Sequence, residues 1–175
     1  AIIRTAGFGV SALRNRLPGL FGALLAPAAS LAGLLGRRRK GAPTAWSGET
    51  VDDESWLAAS EAVAKDFVVT LDPDPLAGRW FLAQAARKTR HGPLFRRVVR
   101  DRGGRVIGCY LVFAKRGAVA QTLFIAALPR QGEAVFASLV DFATAEGCVA
   151  VRGQSHPGIM DALFKAGCIL RHRGA

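Results

Sequence analysis

Ala126-Ala127-Leu128-Pro129-Arg130-Gln131-Gly132-Glu133-Ala134 is the stretch in which the chain changes its hydrophobic period. Ahead of it, residues 118–128 form an apolar run that reads as a strand. Behind it, Ala134, Val135, Ala137, Leu139, Val140 and Phe142 recur at helical spacing until Gly147 stops them, so residues 131–146 read as a helix. A helix that starts directly after a strand presents unpaired backbone N–H groups and the positive end of its dipole, and both suit a phosphate. Gly132 and the small Ala134 allow a ligand close to the backbone, and Arg130 adds a charge that can pair with phosphate oxygens. Local residues alone do not separate this reading from a turn whose glycine and arginine serve packing and solubility.

Working outward, the strand is the third of a series. Residues 95–100 and 105–114 are apolar, β-branched runs joined by Asp101-Arg102-Gly103-Gly104, a hairpin turn with glycines where positive φ is needed. Lys115-Arg116-Gly117 leads into the third run, which predicts an antiparallel meander. Downstream, residues 148–152 read as a strand, residues 157–165 as a helix opened by Pro157, and residues 168–171 as a last strand. The order β-β-β-α-β-α-β predicts an α/β domain: a mixed sheet with an antiparallel meander followed by β-α-β-α-β. Upstream, Asp52, Asp53 and Ser55 are candidate caps for a helix over residues 54–66, carrying Trp56, Leu57, Ala59, Ala62 and Val63 at helical spacing. A short β-branched run at 67–71, the turn Asp72-Pro73-Asp74-Pro75 and a helix over 76–89 follow. Residues 41–54, rich in Gly, Pro, Ser, Thr and acid, read as a linker or surface loop. The domain boundary is expected there, with an apolar, basic segment over 1–46 and the folded domain over 47–175.

The element order, with its glycine-bearing turn after the third strand, resembles the GCN5-related N-acetyltransferase (GNAT) family over about residues 95–171. The resemblance implies acyl transfer from acetyl-CoA or another acyl-CoA to an amine, with Gly132-Glu133-Ala134 matching the end of the family's R/Q-x-x-G-x-G/A pyrophosphate loop. The implied cofactor-binding residues are Ala126, Ala127, Leu128, Arg130, Gln131, Gly132, Glu133 and Ala134. The basic or amide residue expected three before the glycine is Pro129 here, so phosphate binding would lean on backbone amides. The family's acid, a tyrosine four residues before a glycine that matches Gly167, is Leu163 in this chain. His156 is the nearby group with a pKa suited to proton transfer, although its residue type and place read first as a helix cap together with Ser155 and Pro157. The third strand offers Gln121 and Thr122 as its polar groups, neither of them a good base. Tyr110 points either to the cleft or to the core. The resemblance also places residues 71–99 over the acceptor, with Trp80, Phe81 and His91 as candidates, but Trp80 and Phe81 are adjacent, so at least one is expected in the core.

A formal charge of +11 and a pI near 11.0 attract anions of any kind, while mean hydropathy of +0.22 excludes a wholly disordered chain. No zinc-finger, RRM-like or basic-helix signature is present, so no specific nucleic-acid partner is expected. Residues 17–36 carry no charge and are flanked by Arg14, Arg16 and the run Arg37-Arg38-Arg39-Lys40. Their length suffices to span a bilayer; Pro27, which breaks an isolated helix, speaks against that reading, and two short packed helices or membrane-surface contact through residues 17–40 stand beside it. The chain opens on Ala1 and reads as a piece of a longer protein. The resemblance implies a tandem GNAT-like domain ahead of this one, with residues 1–10 as its last strand. Cys109, Cys148 and Cys168, odd in number and set among apolar residues, read as buried reduced thiols, which suits a cytoplasmic location. The expected function is an acyl-CoA-dependent N-acyltransferase acting on a small-molecule or peptide amine. The alternative is a GNAT-like domain without turnover that serves as a binding or assembly module.

Overall fold

The computed structural model describes residues 46–65, 75–153 and 157–168. The expectations for residues 1–10, 17–40, 67–71, His156 and most of 168–171 lie outside these residues. The elements are β1 (Trp46–Thr50), α1 (Asp53–Ala64), α2 (Pro75–Ala86), a 3-10 turn (Thr89–His91), β2 (Leu94–Asp101), β3 (Val106–Phe113), β4 (Val119–Ala127), α3 (Gly132–Ala145), β5 (Ala150–Gly153), a second 3-10 turn (Pro157–Ile159) and α4 (Met160–Lys165). The strands form one sheet in the order β1-β2-β3-β4-β5. Its first three pairings are antiparallel and β4–β5 is parallel. This is the α/β architecture that the period changes predict.

Local chemistry explains the meander. At the β2–β3 turn the Asp101 carboxylate accepts the amides of Gly103 at 2.9 Å and Arg105 at 3.0 Å, and Gly104 takes the left-handed backbone with φ 81°. Central β3 is apolar along nearly its whole length because both faces are covered. Alternate residues serve opposite layers. Val98, Cys109 and Leu111 pack with Trp56 and Leu82 beneath α1 and α2, while Val99, Tyr110 and Val112 pack with Val135 and Leu139 of α3 and Leu163 of α4. Asp52 caps α1 by accepting the Ser55 amide at 2.8 Å, as its position predicts.

Three expectations are corrected or decided. Trp46–Thr50, read as part of a linker, is an edge strand paired with β2. Ser47, Gly48 and Glu49 at its centre have little strand preference; arginines about fifty positions away hold it. The Arg97 guanidinium donates to the Gly48 carbonyl at 2.6 Å and to Thr50 Oγ1 at 2.8 Å and lies 4.6 Å over the Phe142 ring, while Arg100 pairs with Glu49 at 2.6 Å. Neither Trp80 nor Phe81 is core: they are 65% and 42% exposed, and their neighbour Leu82 is fully buried. The cause is that α2 seats itself through Gly78, Leu82 and Ala85, with Gly78 resting directly on the Leu57 side chain of α1. Tyr110 turns inward, and its hydroxyl shares a hydrogen bond of 3.2 Å with Ser138 Oγ. Burial raises its pKa above the usual tyrosine value.

Among the described residues the three cysteines are free thiols, no cluster of His, Cys, Asp and Glu could hold a metal, and no helix is long and apolar enough to cross a membrane. Cys109 and Cys148 are buried and Cys168 half-buried.

Candidate ligand cleft between β4 and β5

The parallel ladder between β4 and β5 is short. It runs from Val119 opposite Ala150 to Thr122 opposite Gly153 and stops there, while β4 continues to Ala127. The stop coincides with a bulge: Leu111 faces Phe124 and Val112 faces Thr122 across the β3–β4 pairing, so Leu123 is an extra residue in β4. A bulge bends its strand and increases the local twist. From residue 123 to 127 no strand among the described residues pairs with this side of β4, whose backbone N–H and C=O groups form a row able to hydrogen-bond an extended ligand.

The two walls of this edge differ. Toward α4, Thr122 is buried and packs on Gly153, and its Oγ1 has no hydrogen-bond partner among the described residues. A buried hydroxyl without a partner is uncommon and calls for a ligand or water. Toward α1, the Trp56 and Phe124 rings meet edge to face with centroids 5.3 Å apart, and Phe124 stays partly exposed. This pair, rather than Trp80 or Phe81, lines the open half of β4. His91 lies against Phe113, whose strand partner is Gln121, ahead of the bulge.

The open edge leads into the β4–α3 turn. Gln131 is the N-cap residue of α3, its own amide bonded to Leu128 O at 2.9 Å, and no side chain caps the helix. The first-turn amides of Gly132, Glu133 and Ala134 have no carbonyl four residues earlier within the helix. Arg130, exposed beside them, holds φ 66°, the left-handed region that non-glycine residues avoid. No carboxylate pairs with its guanidinium among the described residues. Glu133 would oppose an anion here, but Lys165 of α4 pairs with it at 3.0 Å in a solvent-exposed contact. An uncapped helix start, a strained unneutralised arginine and an open strand edge ending in an orphaned hydroxyl suit a phosphate with an extended amide-bearing arm.

The sequence-predicted residues divide by role. Ala126, Ala127 and Leu128 have buried side chains, so only their backbone can serve a ligand. Gln131 and Ala134 are half-buried, and Arg130 and Glu133 reach solvent. Gly132 is needed for a different reason from the one expected: the side on which its Cβ would stand is filled by the Gly158 backbone of the second 3-10 turn. Its smallness admits this neighbouring turn, rather than a ligand, from that direction. Leu163, where the resemblance expects a tyrosine, is 2% exposed and part of the core. Lys165 was missed; no local pattern marks it, since it meets Glu133 only when α4 packs on α3.

No family model matches the sequence, and no curated protein is significantly similar to it. Solved structures do match. A transcriptional regulator from Bacillus halodurans superposes with a TM-score of 0.51 at 15% identity, over 74% of this chain and 97% of its own. Glucosamine-6-phosphate N-acetyltransferase from Arabidopsis thaliana gives 0.50 at 11% identity, over 75% and 97%. A predicted acetyltransferase from Clostridium acetobutylicum, solved with acetyl-CoA, gives 0.50 at 11% identity, over 74% and 94%. Sheet order, the parallel β4–β5 pair and these superpositions agree that the chain has the GNAT fold.

Proposed function

We propose that the chain binds an acyl-CoA along the open edge of β4 and transfers its acyl group to an amine. The observation that carries this reading is the continuity of that edge with the uncapped N-terminus of α3. A bound acyl-CoA supplies a thioester carbonyl as electrophile and a thiol as leaving group. The chain's own contributions are positional. The amides of Gly132, Glu133 and Ala134 and the Arg130 guanidinium would hold the phosphates. The β4 backbone between Leu123 and Ala127 would align the arm, and backbone N–H groups there would polarise the thioester carbonyl. Thr122 and the Trp56–Phe124 pair would exclude water from the two sides. Two of the structures that share the fold are named as acetyltransferases, which supports the same reading.

A second reading, a domain that binds the cofactor or a partner without turnover, draws on Leu163. A leucine sealed in the core cannot protonate a departing thiolate, and β4 carries neither carboxylate nor histidine. Calorimetric titration of the full chain with acetyl-CoA, followed by thiol release against a panel of amines, separates the two. Micromolar binding with thiol release supports transfer. Binding without release supports the module, and no binding by the folded chain removes both cofactor readings.

A further inference from the structure

At the end of the sheet away from the α3 N-terminus, charge and apolar surface meet in a way that the cleft does not use. On α2, Trp80 is 65% exposed and Phe81 42% exposed. Leu76, one turn before Trp80, is 77% exposed. Leu76, Trp80 and Ala83 follow one another at i, i+4 and i+7, the spacing of a single helix face. Arg87, Lys88 and Arg90 follow directly after the end of the helix, all exposed. The chain then turns at Gly92 against the Ala114 carbonyl and Lys115, which brings the exposed Lys115 and Arg116 to the same end. Among the described residues none of these five cations is paired with a carboxylate. Glu146 sits at the adjoining C-terminal end of α3.

We propose that this surface, the exposed face of α2 with its basic continuation, docks on an anionic lipid bilayer. Charge complementarity selects an anionic partner. Indole, phenyl and leucyl groups standing beside the cations select one with an apolar interior, because such side chains enter the headgroup boundary while Arg and Lys stay at its charged surface. A nucleic acid would use the cations and leave the leucine in water. A patch of large apolar side chains on one helix is otherwise uncommon in a protein surface without a partner.

The test uses the full chain and vesicles of phosphatidylcholine with about 30% phosphatidylglycerol, a fraction chosen to give a negative surface potential. Sedimentation measures partition. Vesicles containing brominated phosphatidylcholine then quench tryptophans that enter the boundary. Trp80→Phe keeps an apolar side chain but removes the reporter, so the wild-type quench is expected to disappear in that variant while sedimentation persists. Trp46 and Trp56 remain as the other tryptophans. Arg87→Ser with Lys88→Ser and Arg90→Ser is expected to lower partition at least about tenfold, since each cation near an anionic surface contributes on the order of a factor of five. Because residues 17–40 are present in every protein, their binding cancels in these differences. Equal quenching of wild type and Trp80→Phe overturns the proposal, as does a Trp80 that stays unquenched because residues 17–36 or a second copy of the chain covers α2. Unchanged partition of the triple variant, or retention of an RNA 20-mer (about that length) in place of vesicles, overturns it as well. Matching melting curves establish that the variants are folded.

Discussion

Gly132→Ala separates the two reasons a glycine might be needed at the start of α3. If the residue only kept a ligand path open, an alanine would weaken binding and leave the fold alone; alanine is even the better helix former, by up to about 1 kcal/mol. The structure requires otherwise. A Cβ at 132 would overlap the Gly158 carbonyl oxygen and stand 3.1 Å from both Gly158 C and Ile159 Cα. Ordinary carbon contacts lie at about 3.5–4.0 Å, and the overlap with the carbonyl oxygen is the worst of the three, so backbone in the second 3-10 turn must retreat by about an ångström. Overpacking costs about 1–3 kcal/mol, a clash with backbone lies in the upper part of that range at about 2–3 kcal/mol, and the helix-propensity gain of up to about 1 kcal/mol leaves about 1–2 kcal/mol of net destabilisation. For a domain of this size that corresponds to a fall in Tm of roughly 3–10 °C. Urea unfolding at constant m-value measures it. Gly103→Ala is the control, because its Cβ would meet only the flexible Asp101 side chain at 3.3 Å, and its effect is expected within about 0.5 kcal/mol. Stability of Gly132→Ala equal to or above wild type would refute the packing role.

Arg130→Gly is expected to preserve or slightly raise Tm, because relief of the left-handed backbone offsets the entropy that glycine adds to the unfolded chain. The same variant should weaken acetyl-CoA about five- to tenfold and flatten the salt dependence of binding, both read by titration calorimetry. Arg97→Met, which keeps the stem but removes both bonds to β1, should cost about 2 kcal/mol, with hydrogen exchange at residues 47–50 accelerating ahead of β3. Burial pushes the Cys109 thiol from 9.0 up to about 12, so its folded-state pKa lies above the unfolded one. The stability this contributes is complete below about pH 9 and is lost as pH rises toward 12. Cys109→Ala should therefore show a shallower decline in Tm over that interval than wild type. A residual slope is expected from Tyr110 and Cys148, whose pKa values burial also raises.

Features that rest on neighbours in the chain were legible from the residues alone. The β2–β3 turn needs an aspartate that can bond its own backbone and a glycine at positive φ, and Asp101 and Gly104 announce both. The ends of α3 follow from the change of period at residues 128–131 and from Gly147 at φ 73°. The junction of β4 with α3 was legible for the same reason, since a strand running straight into a helix is a local event. Features that depend on residues far apart in sequence required the tertiary structure. Trp46–Thr50 becomes a strand because Arg97 and Arg100 reach it from β2, and no pattern within WSGET says so. Periodicity shows that adjacent Trp80 and Phe81 face different ways but not that both faces are left open, because Gly78 and Leu82 had already decided how α2 seats. The partner at Gly132, the inward turn of Tyr110 and the point where β5 leaves β4 likewise depend on which element packs opposite. A sequence states which side of a residue is apolar or small; only the packed chain decides what fills that side.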